Sequence, residues 1–230
     1  YANGCMHENA LGDQFGGVEW QNLWDGYRRT LGQVQDREPY RLIAVDVRVT
    51  DRDGRPIADL IREGKVRYAG VSNFSLSQLE RVQAIHPVAS LQPPYSMVHR
   101  AIEAELLPYC AAHEICIVAY SPMQSGLLTG SFTRETVEAL PVGDWRLHQR
   151  QFKEPELTRI LELVEKLRPI AERYERPLGQ LAVAWVLHNP AVTSAIVGAR
   201  RPSQIEESAP AGDWVLPGEV VTEIEALLAA

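Results

Sequence analysis

The sequence lacks the features that mark several classes of protein. No apolar run approaches the roughly 20 residues that a membrane-spanning helix needs, so we expect no membrane partner. Its 23 lysine and arginine residues are outnumbered by 30 acidic residues, which gives a net charge of -7. Because nucleic-acid binding depends on clustered positive charge, this balance argues against a nucleic-acid partner.

Cysteine is also scarce, with three residues, Cys5, Cys110 and Cys116. The number is odd and the spacing does not match a metal site, so we expect neither a disulfide framework nor a bound metal. A reduced cytoplasmic location fits this usage best. The 230 residues are enough to bury a core without such cross-links, and we expect Cys110 and Cys116 to be core thiols.

From residue 66 onward, short runs rich in β-branched residues alternate with amphipathic segments. The runs that predict buried strands are Val66–Val71, Ala89–Gln92, Ile115–Tyr120 and Ser194–Val197. Such alternation implies parallel strands joined by right-handed crossovers. It leaves two architectures open, an α/β barrel and an open doubly wound sheet.

The segments between these runs carry helical signals. Ser75 and Gln78 fit a capping box at the start of a helix over 75–85. Apolar residues at helical spacing predict further helices over 102–113, from 157 onward, over 178–188 and over 219–228. Pro169 should kink or break the second of these, because proline lacks the N–H that the preceding turn requires.

Residues 1–65 are much less regular, and only Leu42–Val49 resembles a strand there. The second half of that strand alternates valine with charged residues, which indicates an exposed face at an edge or a disturbed wall. The chain begins with Tyr1 instead of Met, so we expect its natural start to be missing. Without a repeat or a proline-rich linker, residues 1–230 are predicted to form one domain, divergent over 1–65 and regular over 66–230.

Polar side chains follow three successive predicted strands, namely Ser72 with Asn73, Gln92, and Tyr120 with Ser121. Sites in parallel α/β proteins are built at the C-terminal ends of the strands. Each residue alone also fits a helix cap or a packing role. Their shared position at strand ends is what favours a binding site.

The fourth predicted strand is followed by Gly198, two arginines and Pro202 at the expected start of a helix. A glycine turn that leads into a helix N-terminus is a typical phosphate cradle. Arg200 or Arg201 is suited to pair with a phosphate, such as the 2′-phosphate of NADP. The pattern alone fits a solvated loop equally well, and without G-x-G-x-x-G it gives little support to a Rossmann fold.

Five segments together resemble successive signatures of the aldo-keto reductase superfamily: GKVRYAGVSNFS, LQPPYSMVHR, LLPYC, AYSPMQSGLLTG and AIVGARRPSQIEE. They occur in the family's order, and the resemblance covers roughly residues 57–228. It implies a (β/α)8 TIM barrel whose first strands are eroded or missing here. It also implies an oxidoreductase that binds NADPH without a Rossmann domain, with 66–230 as the cofactor-binding part.

The resemblance assigns twelve positions to the cofactor, in three groups. The positions expected at the nicotinamide are Ser72, Asn73, Gln92 and, stacked on the ring, Tyr120. Those expected at the pyrophosphate are Ser121, Pro122 and Met123. Those expected at the adenosine and its 2′-phosphate are Gly198, Arg200, Gln204, Glu207 and Ser208, the last where family members usually carry Asn.

The catalytic end departs from the family pattern. The segment that starts Y-A-N-G resembles the family's active-site tyrosine motif, which makes Tyr1 the expected general acid. The family's Asp lies upstream of that tyrosine, the strand for its Lys is expected to be deleted after Gly12, and no His stands near Val47. The alkoxide formed by hydride transfer needs a tuned proton donor, so these losses predict a feeble reductase.

Three readings of the function therefore stay open. In the first, segments are omitted from a complete NADPH-dependent reductase that converts a small aldehyde or ketone into an alcohol. In the second, the protein has left redox chemistry for a non-redox biosynthetic step. In the third, it is a cofactor-binding regulatory subunit. The well-kept cofactor half favours the first reading, while substrate identity and oligomeric state stay undetermined.

Overall fold

The computed structural model describes residues 43–44 and 57–229. In these residues the strands are β1 (Ile43–Ala44), β2 (Ala69–Ser72), β3 (Val88–Gln92), β4 (Cys116–Tyr120) and β5 (Val192–Ile196). The α-helices are α1 (Ile57–Arg62), α2 (Leu76–Gln83), α3 (Leu106–Ala112), α4 (Arg134–Glu138), α5 (Glu156–Arg173), α6 (Leu178–His188), α7 (Pro202–Ser208) and α8 (Gly218–Leu228). Short 3-10 segments lie at Ala101–Glu103, Gln124–Thr129, Trp145–His148, Arg150–Phe152 and Ala209–Asp213.

The chain divides into two compact units, the first ending at Leu91 and the second beginning at Gln92. In the first unit the strands follow the order β1, β2, β3, and β1 runs parallel to β2 with Ile43 opposite Ala69. In the second unit β4 and β5 are parallel, and Tyr120 pairs with Ile196 at their ends. These are the parallel pairs that the strand and helix alternation predicts. The prediction of one domain over 1–230 stays a prediction.

The four predicted strands from residue 66 onward all have a counterpart in β2 to β5, with ends shifted by a few residues. The prediction that each is buried is wrong for β5. Thr193 and Ser194 are exposed, and Ile196 is 39% exposed. Burial of a hydroxyl side chain costs its hydrogen bonds to water, which favours exposure of these two residues. The prediction is wrong because it follows the apolar residues of the run. Of the predicted strand over 42–49, all but 43–44 lies outside the described residues.

Close packing of β2 on β3 depends on a missing side chain. A Cβ atom added at Gly70 would lie 2.5 Å from the Oγ of Ser90, which is itself buried. No larger residue fits there without a shift of one strand or a rotation of the serine. The glycine in the segment YAGVS therefore marks close approach of two strands.

The predicted helices have counterparts in the structure, with two corrections. The helix predicted over 102–113 is divided into the 3-10 segment Ala101–Glu103 and the α-helix α3, which begins at Leu106. Ser75 caps α2 through the predicted capping box, in which its Oγ accepts from Gln78 N and Gln78 Oε1 accepts from Ser75 N. The break predicted at Pro169 is wrong, because α5 continues through this residue to Arg173, while the alternative of a kink stays a prediction. The buried side chains of Leu167 and Ile170 on either side offset the missing hydrogen bond by packing into the core.

Helix α6 forms the centre of the second unit. Every residue from 178 to 186 is buried, including the polar Gln180, so the helix is covered on all sides. Fully buried side chains around it include Leu127 from the segment after β4, Leu167 and Ile170 from α5, and Ile224 from α8. Within the described ranges, no helix is both long and apolar enough to cross a membrane.

The two described cysteines differ in environment. Cys110 in α3 is fully buried, and burial raises the pKa of its thiol to about 11. Cys116 at the start of β4 is exposed, so the expectation of a core thiol is right for Cys110 and wrong for Cys116. Strand β4 begins with Cys116 at the rim, and burial sets in at Ile117.

Candidate functional site

The end of β2 in the first unit carries two of the predicted nicotinamide residues. Ser72 is the last residue of β2 and is partly buried, while Asn73 is exposed with φ at 58°. A left-handed conformation costs a non-glycine residue roughly 1–2 kcal/mol, although Asn tolerates it better than most. Backbone strain of this kind is frequent at ligand sites, and it is also found after α3 at Glu114 and after α5 at Glu175, so it is compatible with a function for this turn without establishing one.

In the second unit, the ends of β3 and β4 meet along one edge. Gln92 ends β3, and the chain continues beside β4 because Tyr120 N donates to Pro93 O at 3.0 Å. Tyr95 N then donates to Tyr120 O at 3.1 Å. Since Tyr120 also pairs with Ile196, the C-terminal ends of all three strands lie together. The predicted residues Gln92 and Tyr120 therefore share one strand-end edge.

The turn after β4 holds the three predicted pyrophosphate residues in an unusual backbone. Ser121 has φ at 57°, a left-handed value that repeats what Asn73 shows after β2. Pro122 is buried and Met123 is partly buried. A Cβ at Gly179 in α6 would lie 3.3 Å from Met123 Sδ, so that glycine lets the start of α6 approach the turn.

The next residue, Gln124, fastens the turn to the segment after β3. Its side chain is 7% exposed, and its Nε2 donates to the Oγ of the fully buried Ser96 at 2.8 Å. It also has a left-handed φ of 47°. Sequence reasoning missed Gln124, and the only signal was a polar pair, Gln-Ser, directly before a glycine at 126.

The glycine turn after β5 is open. A Cβ at Gly198 would meet no atom within 4 Å, and its φ does not lie in the left-handed region. Among the described residues, neither packing nor backbone conformation therefore requires glycine at this position. Open surroundings of this kind are compatible with the close approach of a ligand.

Gln204 organises the start of α7. Its Oε1 accepts from the backbone N–H groups of Arg200 at 2.7 Å and Arg201 at 3.2 Å. The carbonyl end of this side chain is thus directed to the turn, and its NH2 end is the part that can face a ligand. Both arginine side chains are exposed, which leaves two guanidinium groups beside the open glycine.

A tight ion pair lies in the long segment after β4. Arg146 donates to both oxygens of Asp144, at 2.9 Å from Nε and 2.6 Å from Nη2, and the two side chains are 16% and 14% exposed. Hydrogen bonding from Arg146 is the largest influence that lowers the pKa of Asp144 to about 2, and the charge of Arg200 makes a minor contribution to the same lowering.

The remaining adenosine positions lie at the end of α7. Glu207 is exposed, and its backbone carbonyl accepts a hydrogen bond from Gln180 Nε2 at 2.5 Å. Ser208 is partly buried and ends the helix. Gln180 is a second residue that sequence reasoning missed, because a glutamine inside an apolar helix gives no sign of its distant partner.

An open groove of about 790 Å³ lies elsewhere in the second unit, lined at its base by Cys116 and by the turn before β5. None of the predicted cofactor residues lines it. Its polar groups bond one another: Tyr95 donates to Glu103 at 2.8 Å, and Arg100 pairs with both Glu103 and Glu225. Burial raises the pKa of Tyr95 above its ordinary range, so this phenol is no acid at neutral pH.

Tyr1, the predicted general acid, lies outside the described residues. Within residues 57–229, no group of three or more His, Cys, Asp and Glu side chains is arranged to hold a metal ion. The predicted cofactor residues that the structure describes are therefore, in the first unit, those at the end of β2, and, in the second unit, those at the ends of β3 and β4, in the turn after β4 and around α7.

Comparison with known proteins identifies the family. A model of the aldo/keto reductase family matches residues 55–229. The chain belongs to the aldo/keto reductase family. The strained strand ends and the open glycine turn are thus features of an aldo/keto reductase chain, and the (β/α)8 barrel class expected from the sequence is confirmed by membership.

Individual aldo/keto reductases show the same likeness. The chain is 36% identical over 172 residues to the aldo-keto reductase YhdN of Bacillus subtilis (strain 168), covering 74% of this chain and 51% of that protein. It is 32% identical over 150 residues to the NADH-specific methylglyoxal reductase of Escherichia coli (strain K12), covering 65% and 45%. Among solved structures, the glycerol dehydrogenase AKR11B4 from Gluconobacter oxydans aligns with a TM-score of 0.70 and 33% identity, over 75% of this chain and 52% of that one.

The chain spans about half the length of the curated aldo/keto reductases that it matches. The matched half contains all twelve predicted cofactor positions and leaves Tyr1 outside.

Proposed function

We propose that the protein is an NADPH-dependent oxidoreductase that reduces an aldehyde or a ketone to an alcohol. The observation that carries the proposal is the open space at Gly198 beside two exposed guanidinium groups. Family membership supplies the reaction class, and the matched relatives named as reductases and a dehydrogenase support carbonyl chemistry.

The residues present fit a nicotinamide dinucleotide. The space around Gly198 is open, and the Oε1 of Gln204 is engaged by backbone N–H groups, which leaves its NH2 group as the donor available for a ligand. Guanidinium groups bind phosphate with short, charge-assisted hydrogen bonds. In the same unit, Tyr120 has a ring of the kind that stacks on a nicotinamide, and Gln92 has an amide suited to a carboxamide. The family resemblance assigns the same task to Ser72 and Asn73 of the first unit.

Each group of residues has a distinct task in this proposal. When bound, the cofactor supplies the hydride for the carbonyl carbon. The strand-end residues orient the ring and hold one face of it toward the substrate. Ser121, Pro122 and Met123 shape the wall along the pyrophosphate. Tyr1 donates the proton that the new alkoxide oxygen requires.

A preference for NADPH over NADH rests on Arg200. A 2′-phosphate carries up to two negative charges, and Arg200 or Arg201 can pair with it in a bidentate manner. The relative in Escherichia coli is named as NADH-specific, so the family itself leaves the choice open. The charged start of α7 favours the phosphorylated cofactor here.

Other parts of the proposal concern the whole protein. We include one barrel domain over 1–230, a small-molecule carbonyl substrate, no nucleic-acid partner and a cytoplasmic location. The net charge of -7 and the three cysteines support the last two.

The experiment follows absorbance at 340 nm with NADPH, then NADH, against a panel of small aldehydes and ketones. The proposal predicts oxidation of NADPH that depends on a carbonyl substrate, with a higher kcat/KM for NADPH than for NADH. Arg200→Gln should remove most of that preference while it leaves the reaction with NADH unchanged. An equal loss with both cofactors would contradict the assigned role of Arg200.

A second candidate is a cofactor-binding protein without redox turnover, either a non-redox enzyme or a regulatory subunit. The sequence favours it at one point, because it has no counterpart for the family's Lys or His. Tight binding of NADPH without oxidation for any carbonyl in the panel would support this candidate over the reductase.

A further inference from the structure

Helix α7 depends on contacts with other elements to keep its position. It is seven residues long, and none of its residues is buried. Helices of this length are unstable in water unless they are packed against other parts of the protein. Because α7 carries Gln204, Glu207 and Ser208, whatever fixes its position also fixes the adenosine end of the proposed cofactor site.

Gln180 in α6 supplies such a contact. Its side chain is 7% exposed, and its Nε2 donates to the backbone carbonyl of Glu207 at 2.5 Å. Carbonyl groups in the last turn of a helix have no partner within the helix, so this bond satisfies an acceptor as well as joining two helices. The bond links residues 27 positions apart in the chain.

Arg176 sets the orientation of the Gln180 amide. Its Nη1 donates to Gln180 Oε1 at 3.1 Å and to Pro210 O at 3.2 Å. Since a guanidinium is a donor only, it selects the oxygen of the amide and turns the NH2 group toward Glu207. The guanidinium is itself held over the ring of Trp214, 5.2 Å from the centroid. The end of α7 and the following turn are thus fastened to α6 by one connected set.

We propose that Gln180 is a positioning residue for the adenosine end of the cofactor, acting through Glu207 and α7. This inference rests on the proposed function. It goes beyond it by assigning a role in cofactor affinity to a buried residue that would not touch the cofactor. Loss of the bond should let α7 shift or fray, and the binding groups at its start should then meet the cofactor less often in the right place.

The test compares Gln180→Met, which keeps the volume but removes both polar atoms, with the wild type. We expect the Kd for NADPH, measured by quenching of intrinsic fluorescence, to rise about five- to tenfold, the scale of one neutral hydrogen bond. In turnover, KM for NADPH should rise with it while kcat stays within about twofold. Gln180→Glu keeps the acceptor for Arg176 but not the donor, so it should weaken binding as well.

Trp185→Phe is the matched control on the same helix. It removes the indole N–H that donates to Glu225 at 3.0 Å, and none of the cofactor positions is involved. It should lower thermal stability as Gln180→Met does, without changing the Kd for NADPH. Amide hydrogen exchange without cofactor gives an independent readout, because residues 202–208 should exchange faster in Gln180→Met and at the wild-type rate in Trp185→Phe.

The outcomes separate the inference from the function on which it rests. Wild-type protein that binds no NADPH overturns both. Wild-type protein that binds NADPH, with an unchanged Kd and unchanged exchange in Gln180→Met, overturns the inference alone. If Gln180→Met does not fold, Arg176→Lys is used instead, since lysine keeps the charge but lacks the planar fork that reaches both acceptors.

Discussion

At the scale of single residues, the candidate site shows two features, namely left-handed backbone conformations and open space around a glycine. Asn73 and Ser121 adopt left-handed conformations directly after two different strands, and Gly198 adjoins empty space. Left-handed residues also occur at Glu114 and Glu175, after α3 and α5, so this backbone conformation alone does not identify a ligand site. Under the proposed function, close approach of the cofactor to the backbone would account for all three features.

Gly198→Ala tests the empty space. The new methyl group meets no protein atom, so thermal stability should stay at the wild-type value or rise slightly. The Kd for NADPH should rise about tenfold, because the methyl group fills the space that the cofactor needs. Titration of both proteins by fluorescence measures this.

Gly218→Ala serves as the control, since its Cβ would likewise meet nothing within 4 Å, but it lies in the first turn of α8. Cofactor affinity that falls equally in both variants, or in neither, would count against a ligand at Gly198.

The Asp144 carboxylate makes the free energy of unfolding depend on pH in the acidic range. Its pKa is about 2 in the folded protein against an ordinary value of 3.8, so its contribution is complete above about pH 4 and is lost as the pH falls toward 2. Asp144→Asn should therefore be less stable than the wild type at pH 6, and the difference should shrink by pH 3. Urea unfolding at both pH values measures it, and a difference that stays constant would rule out the carboxylate as its source.

At the scale of helices and strands, features that depend on neighbouring residues could be predicted from the sequence, and features that depend on distant residues could not. The capping box of α2 was predictable because both partners, Ser75 and Gln78, lie within one turn. The exposure of β5 was not, because it depends on which other elements cover the strand. Gln180 was hidden for a similar reason: a glutamine in an apolar helix reads as an irregularity until its partner on α7 is known.

The features of the predicted cofactor positions divide in the same way into those that could be predicted from the sequence and those that could not. Strand ends follow from the alternation of strands and helices, which placed Gln92 and Tyr120 on one edge in advance. The left-handed turns after β2 and β4 left no mark in the sequence, since Asn and Ser are common in ordinary turns. The region before residue 57, where the general acid was predicted, lies outside this comparison apart from 43–44.

Replacement of the proline inside α5 is predicted to stabilise the protein. Pro169 removes one hydrogen bond within the helix and is exposed, so Pro169→Ala should stabilise the protein by about 1–2 kcal/mol. The gain is less than the full cost of an internal proline because the unfolded chain also becomes freer. Thermal unfolding measures it. A lower melting temperature would contradict this prediction and would mean that the proline ring itself contributes to packing.

The close approach of β2 to β3 predicts that a larger side chain at Gly70 destabilises the protein. Gly70→Ala should destabilise the protein by about 1–3 kcal/mol, because its Cβ would lie 2.5 Å from Ser90 Oγ. Removal of that oxygen in Gly70→Ala/Ser90→Ala should restore part of the loss, as a double-mutant cycle would show. Additive effects of the two substitutions would contradict a direct clash.

At the scale of the whole molecule, the chain carries the matched half of an aldo/keto reductase. Residues 55–229 contain the predicted cofactor positions, and the chain spans about half the length of its curated relatives. Binding of a cofactor and completion of its reaction are therefore separate questions for this protein. In the proposed function, binding would depend on described residues, and the reaction would depend on Tyr1, which lies outside them.

Fluorescence titration with NADPH tests the account most directly. The protein contains five tryptophans, and bound nicotinamide should quench their emission. If the protein binds NADPH as proposed, we expect saturable quenching at micromolar NADPH, weaker binding of NADH, and a rise in melting temperature that grows with cofactor concentration. The absence of saturable quenching and of any thermal shift with either cofactor would contradict it.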